Sequence, residues 1–189
     1  MSDSPSAPKS RRRLLRHPLV LTGIATLVVA AALGAYWFQP WKLFTNTTVD
    51  EAPPSVTASS NDGPTPAGPV VESQGSFVSQ EHDTTGTAQL LRLPDGSQVV
   101  RIEDLNTSDG PLLKVWLTDA PVTPGSDGAR VFDDGRWIDL GALKGNRGSA
   151  NYPVPAGTEV EGLNSVSIWC DRFNVSFGAA ELKPVAVTQ

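Results

Sequence analysis

Two patterns of apolar and polar positions divide the chain. From Pro18 to Phe38 no residue is charged, and the interior reads Leu19-Val-Leu-Thr-Gly-Ile-Ala-Thr-Leu-Val-Val-Ala-Ala-Ala-Leu33. About 20 apolar residues at about 1.5 Å each cross a hydrocarbon core about 30 Å thick, so the run predicts a transmembrane helix over residues 18–38. From residue 75 to 185 the pattern changes to short period-2 runs cut by Gly, Pro, Asn and Asp, with no sustained helical period. Leu113, Val115 and Leu117 share one face of a strand, and Leu112, Lys114 and Trp116 share the other. Further strands are expected at Ser76–Ser79, Thr85–Leu93, Gln98–Asp104, Trp137–Leu140, Val166–Cys170 and Phe173–Leu182, with turns at Pro94-Asp95-Gly96 and Asp133-Asp134-Gly135. About eight short strands in roughly 110 residues predict an all-β domain, an antiparallel β-sandwich or jelly-roll-like barrel large enough to bury a core without disulfides.

The segment between the two patterns has neither period. Thr45–Ser73 holds Pro53, Pro54, Pro64, Pro66 and Pro69, many Ser and Thr, and no aromatic, Leu or Ile. It cannot bury enough apolar surface to offset its ordering entropy, so residues 39–74 are expected to be a disordered linker. Its root-mean-square span as a coil is about 30 Å. The predicted order is thus a basic tail (1–17), a membrane helix (18–38), a linker (39–74), a β domain (75–185) and a short tail (186–189).

Charge sharpens the topology. The first 17 residues carry Lys9, Arg11, Arg12, Arg13 and Arg16 against Asp3, a balance of +4, which leaves −9 for the rest of a chain whose net charge is −5. Basic residues before an apolar span keep that end cytoplasmic, so the β domain is expected outside the cytoplasm of a single-pass protein. Tyr36, Trp37, Phe38 and Trp41 stand where an interfacial aromatic belt falls. The same bulky residues weigh against the rival reading, a signal peptide cleaved near Leu33-Gly34-Ala35. Ser10-Arg-Arg-Arg-Leu-Leu-Arg16 also resembles a twin-arginine export signal. An acidic main domain lacks the basic face that phosphates need, which excludes nucleic acid as a partner.

The chain has one cysteine, Cys170. In an oxidising compartment a thiol without a partner calls for explanation: a packed side chain, an intermolecular disulfide, a redox thiol or a ligand for a prosthetic group. Val166, Ile168 and Cys170 alternate onto the apolar face of their strand, with Ser165, Ser167 and Trp169 opposite. The next apolar set, Phe173, Val175 and Phe177, breaks the alternation, so a turn or bulge is expected at Asp171-Arg172. Cys170 therefore points inward at a strand end. Arg172 favours its thiolate and Asp171 opposes it.

Phe77-x4-His82-x3-Gly86-x-Ala88, Val100–Asp104, Gly110-Pro-Leu-Leu-Lys-Val-Trp-Leu117, Leu140–Asn146, Asn151-Tyr-Pro-Val-Pro155 and Ser165–Cys170 followed by Phe177-Gly-Ala179 occur in this order. Over residues 72–184 these blocks make the chain similar to the DM-thirteen domain, a small β domain found beside DOMON modules in Skeletor-type animal proteins and alone in bacterial surface proteins. The chain departs from that pattern at Leu112, where an acidic residue often follows the Gly-Pro. The resemblance implies electron transfer, with Cys170 acting as a naked thiol or holding a prosthetic group such as haem. His82 is the other strong ligand type outside the membrane, in a loop entering a strand; its plain reading is a turn-stabilising or surface histidine. Without Cys-x-x-Cys-His, covalent c-type haem is excluded. A thiol acting alone needs a redox partner protein, because the chain holds no resolving cysteine.

Other chemistries fit less well. One Cys and one external His cannot build a tetrahedral zinc site. Asp104–Gly110 evokes a calcium loop, but its Gly arrives one residue late and Val115 stands where Glu is needed, so no metal is expected. There is no Gly-x-Ser-x-Gly and no phosphate loop. Two functions remain: a thiol-redox or electron-transfer domain working through Cys170, and a non-catalytic surface module in which the cysteine is packed and exposed Trp116, Trp137 and Trp169 make the contacts.

Overall fold

The computed structural model describes residues 18–55 and 68–185; the expected basic tail, the centre of the linker and residues 186–189 lie outside them. The chain divides into two compact units, Met1–Pro40 and Trp41–Gln189. In the first, α1 (Pro18–Phe38) is a helix of 21 residues with a mean hydropathy of 2.1 and none of its residues buried. Thr22 and Thr26 return their hydroxyls to the carbonyls of Pro18 and Thr22, at 2.9 and 3.0 Å. The helix's two threonine hydroxyls are thereby satisfied within it, as an apolar solvent requires. The helix is long and apolar enough to cross a membrane.

The second unit is mostly β, with ten strands among the described residues. They are β1 (Thr48–Asp50), β2 (Val70–Ser79), β3 (Thr85–Arg92), β4 (Gln98–Asn106), β5 (Leu113–Thr118), β6 (Trp137–Ala142), β7 (Arg147–Pro153), β8 (Ser165–Cys170), β9 (Val175–Glu181) and β10 (Lys183–Pro184). Their order is β1-β7-β4-β3-β2-β9-β8-β5-β6, with β10 beside β2. The long strand β2 makes the architecture. Its first part pairs with β3 and its last residues, Phe77–Ser79, pair with β9, so one strand belongs to two halves of a curled sheet. Those halves face each other across one core in the manner of a sandwich. Val100, Ile102, Ala150 and Tyr152 come from one half, and Val115, Leu117, Val166, Ile168, Cys170 and Phe177 from the other.

Three expectations are corrected. The pairing is not wholly antiparallel, because β1 runs parallel to β7. The stretch 39–74 is not an unbroken disordered linker: Pro40–Phe44 forms a 3-10 turn, Thr48–Asp50 is strand β1, and β2 begins at Val70. Polar groups outside the strand pattern hold β1 in place. Asn146 accepts from the Thr47 amide at 2.7 Å, and Glu51 accepts from the Asn151 amide at 2.8 Å and from Lys144 Nζ at 2.7 Å. Trp116 and Trp169 are also not exposed; only Trp137 of the three reaches solvent. The connection 119–136 folds back and covers the outer face of the sheet, burying Trp116 and Trp169 with Ala120, Phe132 and Ala179 in a second small core.

Candidate functional site

Cys170 closes β8, a strand in which every residue is buried. Its alternation holds: Val166, Ile168 and Cys170 enter the main core, and Trp169 enters the outer one. The expected irregularity is a turn over Asp171–Asn174, ended by Asn174 in the left-handed region at φ 48°. Cys170 has no exposed surface, and its Sγ donates to the backbone carbonyl of Pro111 at 3.2 Å. Burial pushes the thiol's pKa up; the backbone amides of Phe173 and Arg172 and the charge of Arg172 pull the other way without prevailing, and Asp171 adds to the rise. Lys114 bridges Asp171 and Asp139 at 3.2 and 2.9 Å.

The loop that supplies Pro111 has its own signature. Leu112 is 53% exposed and sits at φ 58°, a conformation that costs a branched side chain about 1–2 kcal/mol. Gly110, two residues earlier, lies against Phe177: a Cβ there would stand 2.7 Å from the ring's Cζ. The outer side of this loop, Gly110, Leu112 and Leu113, walls a cleft that Lys42, Asp109, Lys144 and Asn146 line with polar groups. Neither Pro111 nor Cys170 lines that cleft.

Phe177 is the residue that sequence reasoning placed in the core but missed as an organiser. Trp169 pairs with Ser176 and Ile168 with Gly178, so Phe177 is the extra residue of a bulge in β9. Its carbonyl leaves the β8 ladder and accepts from the amides of Gln80 and His82 and from Thr84 Oγ1, at 3.1, 3.2 and 3.1 Å. Thr84 and Thr107 share a further hydrogen bond at 2.8 Å, tying the His82 loop to the segment before Pro111. On the other side of the bulge the His82 ring packs on the Phe177 ring, centroids 3.8 Å apart. Burial lowers the His82 pKa, with Glu81 and Asp83 opposing.

Cys170 and His82 have different partners: the His82 ring packs at a tilt on Phe177, while the thiol points at Pro111. A haem needs a thiolate, or a neutral imidazole nitrogen, facing open space. Here the sulfur is enclosed, engaged with a carbonyl and held in its protonated form. In this arrangement the thiol does not fit a haem, and His82 is turned to Phe177 rather than to the thiol. What the arrangement offers is a protonated thiol behind a short strained loop.

A family model described as Electron transfer DM13 matches residues 76–182. No curated protein and no solved structure matches the chain.

Proposed function

The chain belongs to the electron-transfer DM13 family, and from that membership we propose a membrane-tethered, extracytoplasmic domain that exchanges electrons through the thiol of Cys170. The observation that carries the reading is the enclosure of Cys170 by Pro111 next to strained Leu112. Strain of this kind recurs at switch segments and offsets part of the cost of moving them. Lifting Gly110–Leu112 frees Sγ from its carbonyl and admits water, which removes the burial that holds the proton. The freed thiol loses its proton to solvent, attacks a partner's disulfide and releases the partner's thiolate. The partner is a second protein, since this chain has no other cysteine. Helix α1 supports the tether, and the arginines before it support a cytoplasmic N-terminus.

The test is disulfide exchange by the full-length chain in detergent with a small aromatic disulfide, alongside Cys170→Ser. Slow release of the aromatic thiol under native conditions, lost in the variant while the melting temperature is kept, is the expected result. No release under native conditions, with release only once the whole domain unfolds, overturns the reading.

The complete burial of Cys170 and the upward push on its thiol favour a second reading, a non-catalytic surface module whose cysteine only fills the core. It requires a thiol that stays inert until the whole domain unfolds, so that labelling and global unfolding share one denaturant dependence.

A further inference from the structure

The outer face of the sheet carries a feature that neither the thiol nor the main core uses. Trp137 on β6, Trp116 on β5 and Trp169 on β8 lie on three neighbouring strands, each pair set diagonally across the ladder. Trp137 and Trp116 stack with ring centroids 4.0 Å apart and planes 9° from parallel; Trp116 and Trp169 stack at 4.6 Å and 21°. Exposure falls along the series from 43% at Trp137 to 3% at Trp116 and 0% at Trp169. The series leads from solvent to the residue whose chain neighbour is Cys170.

We propose that Trp137, Trp116 and Trp169 form a relay for single electrons between a one-electron oxidant at the surface and the interior of the sheet. The proposal rests on the electron-transfer reading of the domain but not on any reaction of Cys170. Indole is among the most easily oxidised side chains, and electronic coupling between π systems decays exponentially with separation. Near-parallel rings in van der Waals contact are therefore the arrangement in which a hole moves fastest. Each step passes one electron and makes or breaks no bond. The oxidant takes an electron from Trp137, Trp137 recovers one from Trp116, and Trp116 recovers one from Trp169. One electron ends on the oxidant and the hole ends inside.

Protons set where the hole rests. An oxidised indole is a strong acid and loses its N–H proton wherever a base can receive it. The indole N–H groups of Trp116 and Trp169 are buried and find no acceptor among the described residues. A hole on either therefore keeps its proton and stays reversible. Trp137 reaches water, so a hole confined there loses its proton and is trapped as the neutral radical.

The experiment uses the full-length chain in detergent, with Tyr36, Trp37 and Trp41 replaced by Phe so that no other exposed ring of this kind competes. A ruthenium(III) polypyridyl complex generated by a laser flash serves as the oxidant, and transient absorption distinguishes the protonated from the neutral indole radical. The relay predicts a protonated radical in this background, a shift to the neutral radical in Trp116→Phe, and loss of the signal in Trp137→Phe. A radical whose form is unchanged in Trp116→Phe, or whose yield is unchanged in Trp137→Phe, overturns the proposal. Trp137 is half-exposed, so its Phe variant keeps the fold and decides the matter even where Trp116→Phe does not fold. In Cys170→Ser the radical persists whether or not the thiol reading holds, which separates failure of one from failure of the other.

Discussion

The Sγ of Cys170 and the carbonyl oxygen of Pro111 are 3.2 Å apart, and that hydrogen bond joins the last residue of a fully buried strand to a loop whose next residue sits at positive φ. The loop is held on both flanks. Gly110 is pressed on Phe177, and the Asp171 amide donates to Leu112 O at 3.1 Å. Leu112 alone is both strained and largely outside.

This makes Leu112 the place to alter access without touching the thiol. Asn tolerates the left-handed region, so Leu112→Asn removes strain from the closed form and gives up little burial. It is expected to stabilise the domain by up to about 1 kcal/mol and to slow alkylation of Cys170 under native conditions. Thermal melts and timed labelling with iodoacetamide check the two effects. Faster labelling in a more stable variant would separate the loop from the thiol.

A second prediction concerns Gly110. An added Cβ meets Phe177 Cζ at 2.7 Å, and that ring is pinned by its own bulge and by His82. Overpacking of this kind costs about 1–3 kcal/mol. Gly110→Ala is expected to lower the melting temperature and to displace the His82 ring signals in NMR spectra. Unmoved His82 resonances would show that Phe177 yields in another direction.

His82 supplies a pH dependence whose sign follows from its lowered pKa. Burial disfavours the charged form in the folded state, so His82 binds its proton more readily when the chain is unfolded. Stability is therefore full above the ordinary histidine value of about 6.5 and falls as the pH drops below it toward the folded-state value. Denaturant midpoints measured from neutral to mildly acid pH should fall, and His82→Phe should flatten that part of the profile. An unchanged slope in the variant would assign the loss to the carboxylates.

These relations differ in how far the sequence discloses them. The inward face of β8 was legible because Val166, Ile168 and Cys170 alternate with Ser165, Ser167 and Trp169, and a two-residue period has one solution when one side must be dry. The partners of Cys170 and His82 were not. Phe177 reaches His82 through a bulge that shifts the β8–β9 register, and register follows from pairing between strands rather than from either strand's own pattern. Trp116 and Trp169 looked exposed because the 119–136 connection that covers them, rich in Gly, Pro and Asp, has no strand period, although Val122, Val131 and Phe132 lie within it. Strand β7 escaped notice for a related reason. Arg147-Gly-Ser-Ala-Asn-Tyr-Pro has weak β propensity and is strand because β4 and β1 pair with it on either side.

The attachment of β1 is itself open to test through Glu51. Its carboxylate joins Lys144 Nζ and the Asn151 amide, and the Lys144 hydrogen bond holds its pKa below the usual carboxylate value. The contribution is present above about pH 4.3, the unfolded-state value, and is lost as the pH falls through the lower folded-state value. The pair is well exposed, so screening keeps its worth within about 1 kcal/mol. Global stability should therefore change little in Glu51→Gln, because the main core lies elsewhere. The local effect should be larger, since β1 pairs over only three residues and the carboxylate accepts directly from the Asn151 amide of β7. Amide exchange at residues 147–151 is expected to quicken in Glu51→Gln, and in the wild type at acid pH, while β8 stays protected. Equal exchange in variant and wild type would mean that the backbone pairing of Thr48–Asp50 holds the strand without its flanking carboxylate.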